Sequence, residues 1–290
     1  MSHRESWTTN LEYEEPFEAG WLLSFFGRRV VPGVEEVLAG GLRRSVRLRH
    51  GAGVMELRPL GGRIEVRLYL DDQRDREEAV ARARGLFGLD VELGPVVDAL
   101  SGDPLIGGMV RASPGRRVPG VVAPDELAIR AVLGQQVSVA GAATLAGRLV
   151  ADCGERLAAP VGAITHLFPT AAQIAALDPE RLAMPASRRR AVLGLAAALA
   201  AGEVVLDPDG DPAAIRAALL RLPGIGPWTV EYIAMRALRD PDAFLASDLG
   251  VRHALERLGV DGSPRAAAAL AERWRPYRAY ALQHLWSVLG

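Results

Sequence analysis

Apolar and polar residues alternate with a period of two in three neighbouring segments near the start of the chain, 45–50, 54–60 and 63–70. In the last of these, Ile64, Val66, Leu68 and Leu70 alternate with Arg63, Glu65, Arg67 and Tyr69. Glycines stand between the segments, where turns are needed. A period of two predicts strands of an antiparallel sheet with one face buried.

Helical spacing of apolar residues flanks these strands, at 18–29 and at 75–88. Two such helices would cover one face of the sheet. Residues 1–100 are therefore predicted to form an α+β domain.

A change of pattern follows this predicted domain. The Gly- and Pro-rich stretch 101–123 lacks clear periodicity and is predicted to be a linker or loops that contribute to the next domain. Beyond it almost every segment is predicted to be helical, at 124–154, 170–178, 187–202, 211–222 and, with a break near Pro276, 263–290. The predicted fold is thus an α+β domain, an all-α domain over 124–240, and a C-terminal helical segment over 241–290.

Composition limits the function classes. The 290 residues carry 49% hydrophobic side chains and a net charge of −1, so any anion-binding surface must be local. No apolar run is long enough for a membrane span, and the first 20 residues carry charges that a secretory signal would lack. A single cysteine, Cys153, rules out a disulfide within the chain and a cysteine-ligated cluster. A cytoplasmic protein is the simplest expectation.

Lysine is absent from the chain, and all 34 residues counted as Lys plus Arg are arginine. A GC-rich coding background would explain this bias, as it would the excess of alanine and glycine. Whatever its origin, no lysine amine is available here to form a Schiff base.

The stretch Leu222–Gly226, LPGIG, lies between two predicted helices. Gly224 and Gly226 can adopt positive φ, and a helix starting near Pro227 would expose free amide groups and a positive dipole end. Together these predict an anion site, most naturally for phosphate. An ordinary helix–turn–helix corner without a ligand is the alternative.

Two aromatic residues and a carboxylate follow this turn. Trp228 and Tyr232 are four residues apart, so they share one helix face, where aromatic residues often pack in a core. Asp248 precedes a predicted helix and could simply be its N-cap. From spacing alone, structural roles remain open for all three.

Four segments together resemble the 3-methyladenine DNA glycosylase II (AlkA-type) family of helix–hairpin–helix DNA glycosylases. They are YEEPFEAGWLLSFFGRR (13–29), RAVLGQQVSVAGAATLAGRL (130–149), LPGIGPWTVEYIAMRAL with the downstream FLASD (222–248), and AERWRPYRAYALQHLW (271–286). The likeness covers about residues 13–288. It implies an N-terminal sheet domain similar to half of a TATA-binding protein, followed by helical domains that enclose the active-site cleft.

The resemblance also implies residue roles. Asp248 would be the catalytic carboxylate, and Trp228, Tyr232 and Trp286, with Phe25 at the edge, would line the pocket for a base extruded from the helix. Electron-rich rings would attract a positively charged alkylated base. DNA contacts would come from Gly224, Ile225, Gly226, Pro227, Thr229, Gln135, Gln136, Ser138 and Arg252. Gln136 stands where that family has an apolar wedge, and it is either a wedge here or a polar surface residue.

Other arginines are further candidates for phosphate contacts, and they could equally be solvated surface charges. They are Arg188, Arg189, Arg190, Arg275 and Arg278. The resemblance suggests a Na⁺ or K⁺ ion on the carbonyls of Leu220, Leu222 and Ile225, and no required cofactor. The expected partner is damaged double-stranded DNA, bound by a monomer associated with the nucleoid.

The sequence thus favours a monofunctional glycosylase for cationic purines, because Trp228 stands where strand-cleaving relatives carry a lysine. Two alternatives stay open. One is a non-catalytic helix–hairpin–helix protein that binds DNA damage; the other is a glycosylase for a neutral lesion such as uracil or 8-oxoguanine.

Overall fold

The computed structural model describes residues 6–289, and the N-terminal part of this range is built on an antiparallel sheet. The strands lie in the order β1-β5-β4-β3-β2. They are β1 (Ser6–Glu12), β2 (Glu35–Leu38), β3 (Gly41–Arg47), β4 (Ala52–Leu60) and β5 (Arg63–Leu70). The first predicted domain starts at residue 1 and the last predicted segment ends at residue 290. Residues 1–5 and 290 lie outside the described range.

The alternation in β5 sets the sheet's buried face. Ile64, Val66 and Leu68 are fully buried, and Val66 pairs with Leu57 of β4. Two helices cover this face, α1 (Ala19–Gly27) and α2 (Arg76–Phe87). The predicted α+β organisation and the buried face are confirmed, whereas β1 and β2 were not predicted.

The remainder of the described chain is mainly helical. Its helices are α3 (Gly94–Leu100), α4 (Gly107–Ala112), α5 (Pro124–Leu133), α6 (Val139–Cys153), α7 (Ala171–Ala175), α8 (Ala186–Ala200), α9 (Pro212–Leu220), α10 (Pro227–Arg236), α11 (Leu249–Arg257), α12 (Pro264–Ala271) and α13 (Arg278–Ser287). Short 3₁₀ turns lie at Gln73–Asp75, Pro179–Arg181 and Glu272–Trp274. Two helices begin with proline after a capping side chain, Asp211 before α9 and Ser263 before α12, which fixes where each starts.

Three local predictions were wrong. A hairpin of β6 (Arg156–Val161) and β7 (Ile164–His166) interrupts the helical region, and its Leu157 and Ile164 pack on Val54 on the other face of the sheet. The stretch 101–123 contains a helix, α4. The segment 124–154 is two helices, because Ser138 caps a new helix after the turn at Gly134.

Helix α5 is the central element of the helical part. Its residues 126–133 are almost all buried, and it packs against α8 and α10. The turn that follows α5 at Gly134 and the start of α10 face the same cleft.

A buried ion network joins the sheet to α5. Arg44 of β3 donates to Glu35 at 2.9 Å and to Glu126 of α5 at 2.8 Å. Arg130, one turn further along α5, donates to the same two carboxylates at 3.0 and 2.8 Å. Two cations and two anions that satisfy one another in this way fix the relative position of the two parts. Between residues 6 and 289, no helix is long and apolar enough to cross a membrane.

Candidate active site

Asp248 lies at the start of α11 and accepts three hydrogen bonds. Its Oδ1 accepts from the Val251 amide at 3.0 Å and from Trp286 Nε1 at 2.9 Å. Its Oδ2 accepts from Trp228 Nε1 at 2.9 Å. Asp248 therefore caps α11 and, with the same carboxylate, also binds the two indole N–H groups. The helix-cap role and the predicted active-site role are compatible. Because an ionised carboxylate offers about four acceptor positions, roughly one remains for a ligand or water.

Gly250 allows this close arrangement. A Cβ atom added there would lie 2.9 Å from Asp248 Oδ1 and 3.1 Å from the Trp286 ring. Sequence reasoning missed Gly250, since a glycine in the first turn of a helix gives no sign of what packs against it.

Two aromatic pairs lie on either side of Asp248. Trp228 and Tyr232 of α10 stack with ring centroids 5.2 Å apart and planes 8° apart. Phe25 of α1 and Trp286 of α13 stack at 6.3 Å and 23°. All four line one cleft of about 1200 Å³ between the sheet domain and the helices. Phe25 is also 1% exposed, so it belongs to the core as well as to the cleft wall.

Two arginines, Arg29 and Arg236, line the cleft beside Phe25 and Tyr232. The Arg29 guanidinium lies 3.7 Å from the Phe25 ring centroid, and that of Arg236 lies 4.9 Å from the same centroid. Arg236 also donates to the Tyr232 hydroxyl at 2.9 Å. Burial alone would raise the pKa of the Tyr232 phenol, but the charges of Arg236 and Arg29 outweigh it and hold the pKa below its ordinary value of 10.0.

Neither arginine was singled out from the sequence. Arg236 follows Tyr232 by four residues and Trp228 by eight, so the helical period could have placed it on the same face of α10. No comparable signal exists for Arg29, because it reaches the cleft only through the packing of α1.

The hairpin α9–α10 presents the predicted glycine turn. Gly224 has φ +82°, and an added Cβ there would lie 2.7 Å from the Ala191 Cβ. Gly226, with φ −103°, is the N-cap residue of α10 and is followed by Pro227, so the first amides of the helix have no acceptor within it. Ile225 is buried and anchors the turn, while Leu220 is half exposed at the end of α9.

The turn between α5 and α6 faces this hairpin. Gln136 is exposed at its tip with φ +55°, a left-handed conformation that is uncommon for residues other than glycine. The Gln135 side-chain amide donates to the Gly224 carbonyl at 3.0 Å and to Thr229 Oγ1 at 2.9 Å. The Gln135 amide group is thus turned toward the hairpin, and Thr229 is buried. Ser138 caps α6 by accepting from the Gly141 amide at 3.1 Å.

Most of the arginines considered for phosphate contacts have protein partners. Arg252 pairs with Glu256 at 2.8 Å and does not line the cleft. Arg188 donates to the Gln135 carbonyl at 2.5 Å, which places it at the turn opposite the hairpin. Ion pairs also engage Arg189, with Glu180, and both Arg275 and Arg278, with Asp242 and Glu272.

Comparison with protein families agrees with this architecture. Residues 8–123 match the AlkA N-terminal domain, and residues 129–278 match the HhH-GPD superfamily of base excision DNA repair proteins. The chain belongs to the AlkA-type family within the HhH-GPD superfamily.

Individual relatives are similar along nearly the whole chain. The DNA-3-methyladenine glycosylase 2 of Escherichia coli is 34% identical over 285 residues, which cover 97% of each chain. The probable bifunctional transcriptional activator/DNA repair enzyme AlkA of Mycobacterium tuberculosis is 46% identical over 279 residues, which cover 96% of this chain and 56% of that protein. The chain thus spans about half the length of the mycobacterial relative.

Among solved structures, 3-methyladenine DNA-glycosylase from Archaeoglobus fulgidus shares the fold with a TM-score of 0.83. The two sequences are 22% identical, and the superposition covers 96% of this chain and 97% of that one. The Schizosaccharomyces pombe 3-methyladenine DNA glycosylase, solved with abasic DNA, shares it at a TM-score of 0.55 and 23% identity, over 67% of this chain and 95% of that one.

Proposed function

We propose that the protein is a monofunctional DNA glycosylase in base excision repair, which releases cationic purines such as 3-methyladenine and 7-methylguanine from double-stranded DNA. One observation carries the proposal: Asp248 is held by indole N–H groups of Trp228 and Trp286, and both rings line the cleft. A carboxylate and a flat apolar pocket are what release of a nucleobase requires.

The chemistry follows from the charge of the substrate. When the bond between C1′ and N9 breaks, its electron pair leaves with the base and neutralises the positive charge there. The sugar becomes oxocarbenium-like, and the Asp248 carboxylate stabilises it. Water then adds to C1′, and its proton passes to Asp248 or to solvent. A base that is already cationic needs no general acid, so one carboxylate suffices.

Substrate access requires the base to leave the helix. Gln136 at the exposed tip of its turn is suited to fill the gap in the base stack. The unpaired amides at Gly226 and the start of α10 are suited to hold a DNA phosphate. The Gln135 amide ties the two turns together, so the gap-filling residue and the phosphate site would keep a fixed separation.

A monovalent cation at the hairpin is a further part of the proposal. The last carbonyls of α9, near Leu220 and Leu222, carry the negative end of the helix dipole, which fits a Na⁺ or K⁺ ion. Such an ion would add positive charge beside the phosphate site.

Strand cleavage is not expected, because the chain contains no lysine to attack C1′ and Trp228 occupies the position beside the carboxylate. The test is a product screen on methylated duplex DNA, with each released base identified by mass. We expect 3-methyladenine and 7-methylguanine, together with abasic sites that break only after alkali. Tight binding to methylated DNA without any released base would instead identify a non-catalytic damage-binding protein.

A further inference from the structure

The turn between α5 and α6 has no bonds of its own at its tip. Within residues 6–289, no hydrogen bond holds the backbone or the side chain of Gln136 or Val137. Gln136 is exposed, yet its backbone is in the left-handed region at φ +55°. A residue other than glycine keeps such a conformation only where its surroundings impose it. The position of the tip therefore depends on the residues that flank it.

Gln135, the residue before the tip, is bound through both its backbone and its side chain. Its carbonyl accepts a hydrogen bond from Arg188 Nη2 at 2.5 Å. Its side-chain amide donates to the Gly224 carbonyl at 3.0 Å and to Thr229 Oγ1 at 2.9 Å. The Gln135 carbonyl shares a planar peptide group with the Gln136 amide. The bond from Arg188 thus holds the peptide plane from which the φ angle of Gln136 is measured.

Helix α8 makes this contact from a fixed position. Arg188 and Ala191 are three residues apart and so share one face of α8. Ala191 lies against the hairpin, because a Cβ atom added at Gly224 would lie 2.7 Å from the Ala191 Cβ. Helix α8 also packs against α5. One helix face therefore contacts both the turn after α5 and the glycine turn of the hairpin.

The helix itself does not explain the charge of Arg188. Arg188 lies in the first turn of α8, where a cation opposes the helix dipole. Its neighbour Arg189 forms an ion pair with Glu180, whereas Arg188 has no carboxylate partner in the described part of the chain. A hydrogen bond from a charged donor is about twice as strong as one between neutral groups. The Gln135 carbonyl is therefore a strong attachment point for this side chain.

We infer that Arg188 is a positioning residue, which acts through the Gln135 carbonyl to hold Gln136 where it can fill the gap left by the extruded base. The inference rests on the proposed function. It gives Arg188 a role on the turn and not on a DNA phosphate. A turn that is already oriented loses less freedom when its tip enters the base stack. Extrusion of the base, and hence its release from duplex DNA, is then more favourable.

The test is the variant Arg188→Met, which keeps an unbranched side chain and removes the donors. Single-turnover release of 7-methylguanine is measured from a methylated duplex and from a methylated single strand. We expect release from the duplex to fall about tenfold, as for loss of one hydrogen bond from a charged donor. Release from the single strand should stay the same, which also shows that the variant is folded. Equal losses on both substrates would overturn the inference.

Arg190→Met is the matched comparison. Arg190 lies two residues further along α8, is exposed, and forms no hydrogen bond or ion pair with any residue between 6 and 289. Its loss removes the same charge from the same part of α8, and the ratio of duplex to single-strand release should not change.

Binding to undamaged duplex DNA separates a positioning role from a phosphate contact. Loss of a phosphate contact would reduce the slope of log K against log salt by about one. We expect the slope for Arg188→Met to equal that of the wild type. A slope reduced by about one would assign Arg188 to a phosphate and overturn the inference.

A double-mutant cycle with Gln136→Gly tests the route of the effect. If Arg188 acts through Gln136, Arg188→Met should lower duplex release about tenfold in the wild type and leave it nearly unchanged in the Gln136→Gly background. The same loss in both backgrounds would overturn the inference. If the wild-type protein released no base from either substrate, the proposed function itself would fail, so the two failures are distinct.

Discussion

Trp286 Nε1 donates a hydrogen bond to Asp248 Oδ1 at 2.9 Å, which joins the last helix of the described chain to the start of α11. The Trp286 ring stacks on Phe25 at the same time. One side chain therefore both orients the carboxylate and forms a wall of the cleft, and these two roles can be separated experimentally.

The variant Trp286→Phe keeps an aromatic wall and removes the N–H donor. We expect kcat for base release to fall by about tenfold, with KM less affected, because a hydrogen bond to a charged acceptor contributes about 1.5–3 kcal/mol. Single-turnover release from a methylated duplex measures the effect. Trp7→Phe, on β1, is the matched control and should retain full activity. Unchanged kcat in Trp286→Phe would show that this bond does not position Asp248.

Gly250→Ala places a methyl group against Asp248 Oδ1 and the Trp286 ring, at 2.9 and 3.1 Å. Activity should drop by at least about tenfold, because displacement of the carboxylate misplaces the charge that stabilises the sugar. Gly194→Ala in α8 is the control, since nothing lies within 4 Å of an added Cβ there. That control should gain about 0.5–1 kcal/mol of stability, as glycine disfavours helix. Equal activity of the two variants would contradict the importance of close packing at Gly250.

Gln136→Gly relieves the left-handed backbone at φ +55° and removes the side chain. We expect unfolding stability to stay the same or rise, while base release from duplex DNA falls about tenfold. Release from single-stranded methylated DNA should change little, because no base stack has to be filled there. A proportional loss on both substrates would argue against Gln136 as the gap-filling residue.

Glu35 makes the stability of the ion network between the sheet and α5 depend on pH. Burial by itself would raise the pKa of Glu35, yet Arg130 and Arg44 outweigh it and hold the pKa below its ordinary value of 4.5. A carboxyl whose folded pKa is depressed stabilises the fold above its unfolded pKa and loses that contribution as the pH falls through the folded pKa. Glu35→Gln should therefore lower the free energy of unfolding by about 3 kcal/mol at pH 7.

The difference in unfolding free energy between wild type and Glu35→Gln should narrow as the pH falls below about 4.5, in urea titrations at each pH. Glu203→Gln, on the exposed surface, should show no appreciable difference at any pH. If the difference in unfolding free energy between wild type and Glu35→Gln stayed constant from pH 7 to pH 3, it would contradict the role of this ion network.

Much of the fold was predictable because its signals are local. The alternation in 63–70 matches β5 residue for residue, and capping side chains mark the starts of five α-helices, α6, α7, α9, α11 and α12. The missed elements lack such signals. β1 alternates between exposed and more buried residues, but only Trp7 and Leu11 of its inner face are apolar, so the alternation is barely visible in the sequence. β6 is a short Ala- and Pro-containing strand held by its contacts with the sheet.

The candidate site was predictable only in part. The spacing of Trp228 and Tyr232 puts both on one face of α10, and the family resemblance connects them with Asp248 and Trp286. The contributions of Gly250, Arg29 and Arg236 depend on which surfaces meet in the folded chain. Helical or strand periodicity contains no information about such contacts between distant segments.

The central claim is that the Asp248 carboxylate performs the chemistry, and Asp248→Asn tests it most directly. Asparagine caps a helix about as well as aspartate, so α11 and the melting temperature should be preserved while the negative charge is lost. We predict that single-turnover release of 7-methylguanine from a methylated duplex falls by at least about a hundredfold, with DNA binding retained. Release at the wild-type rate by a folded Asp248→Asn protein would contradict the account.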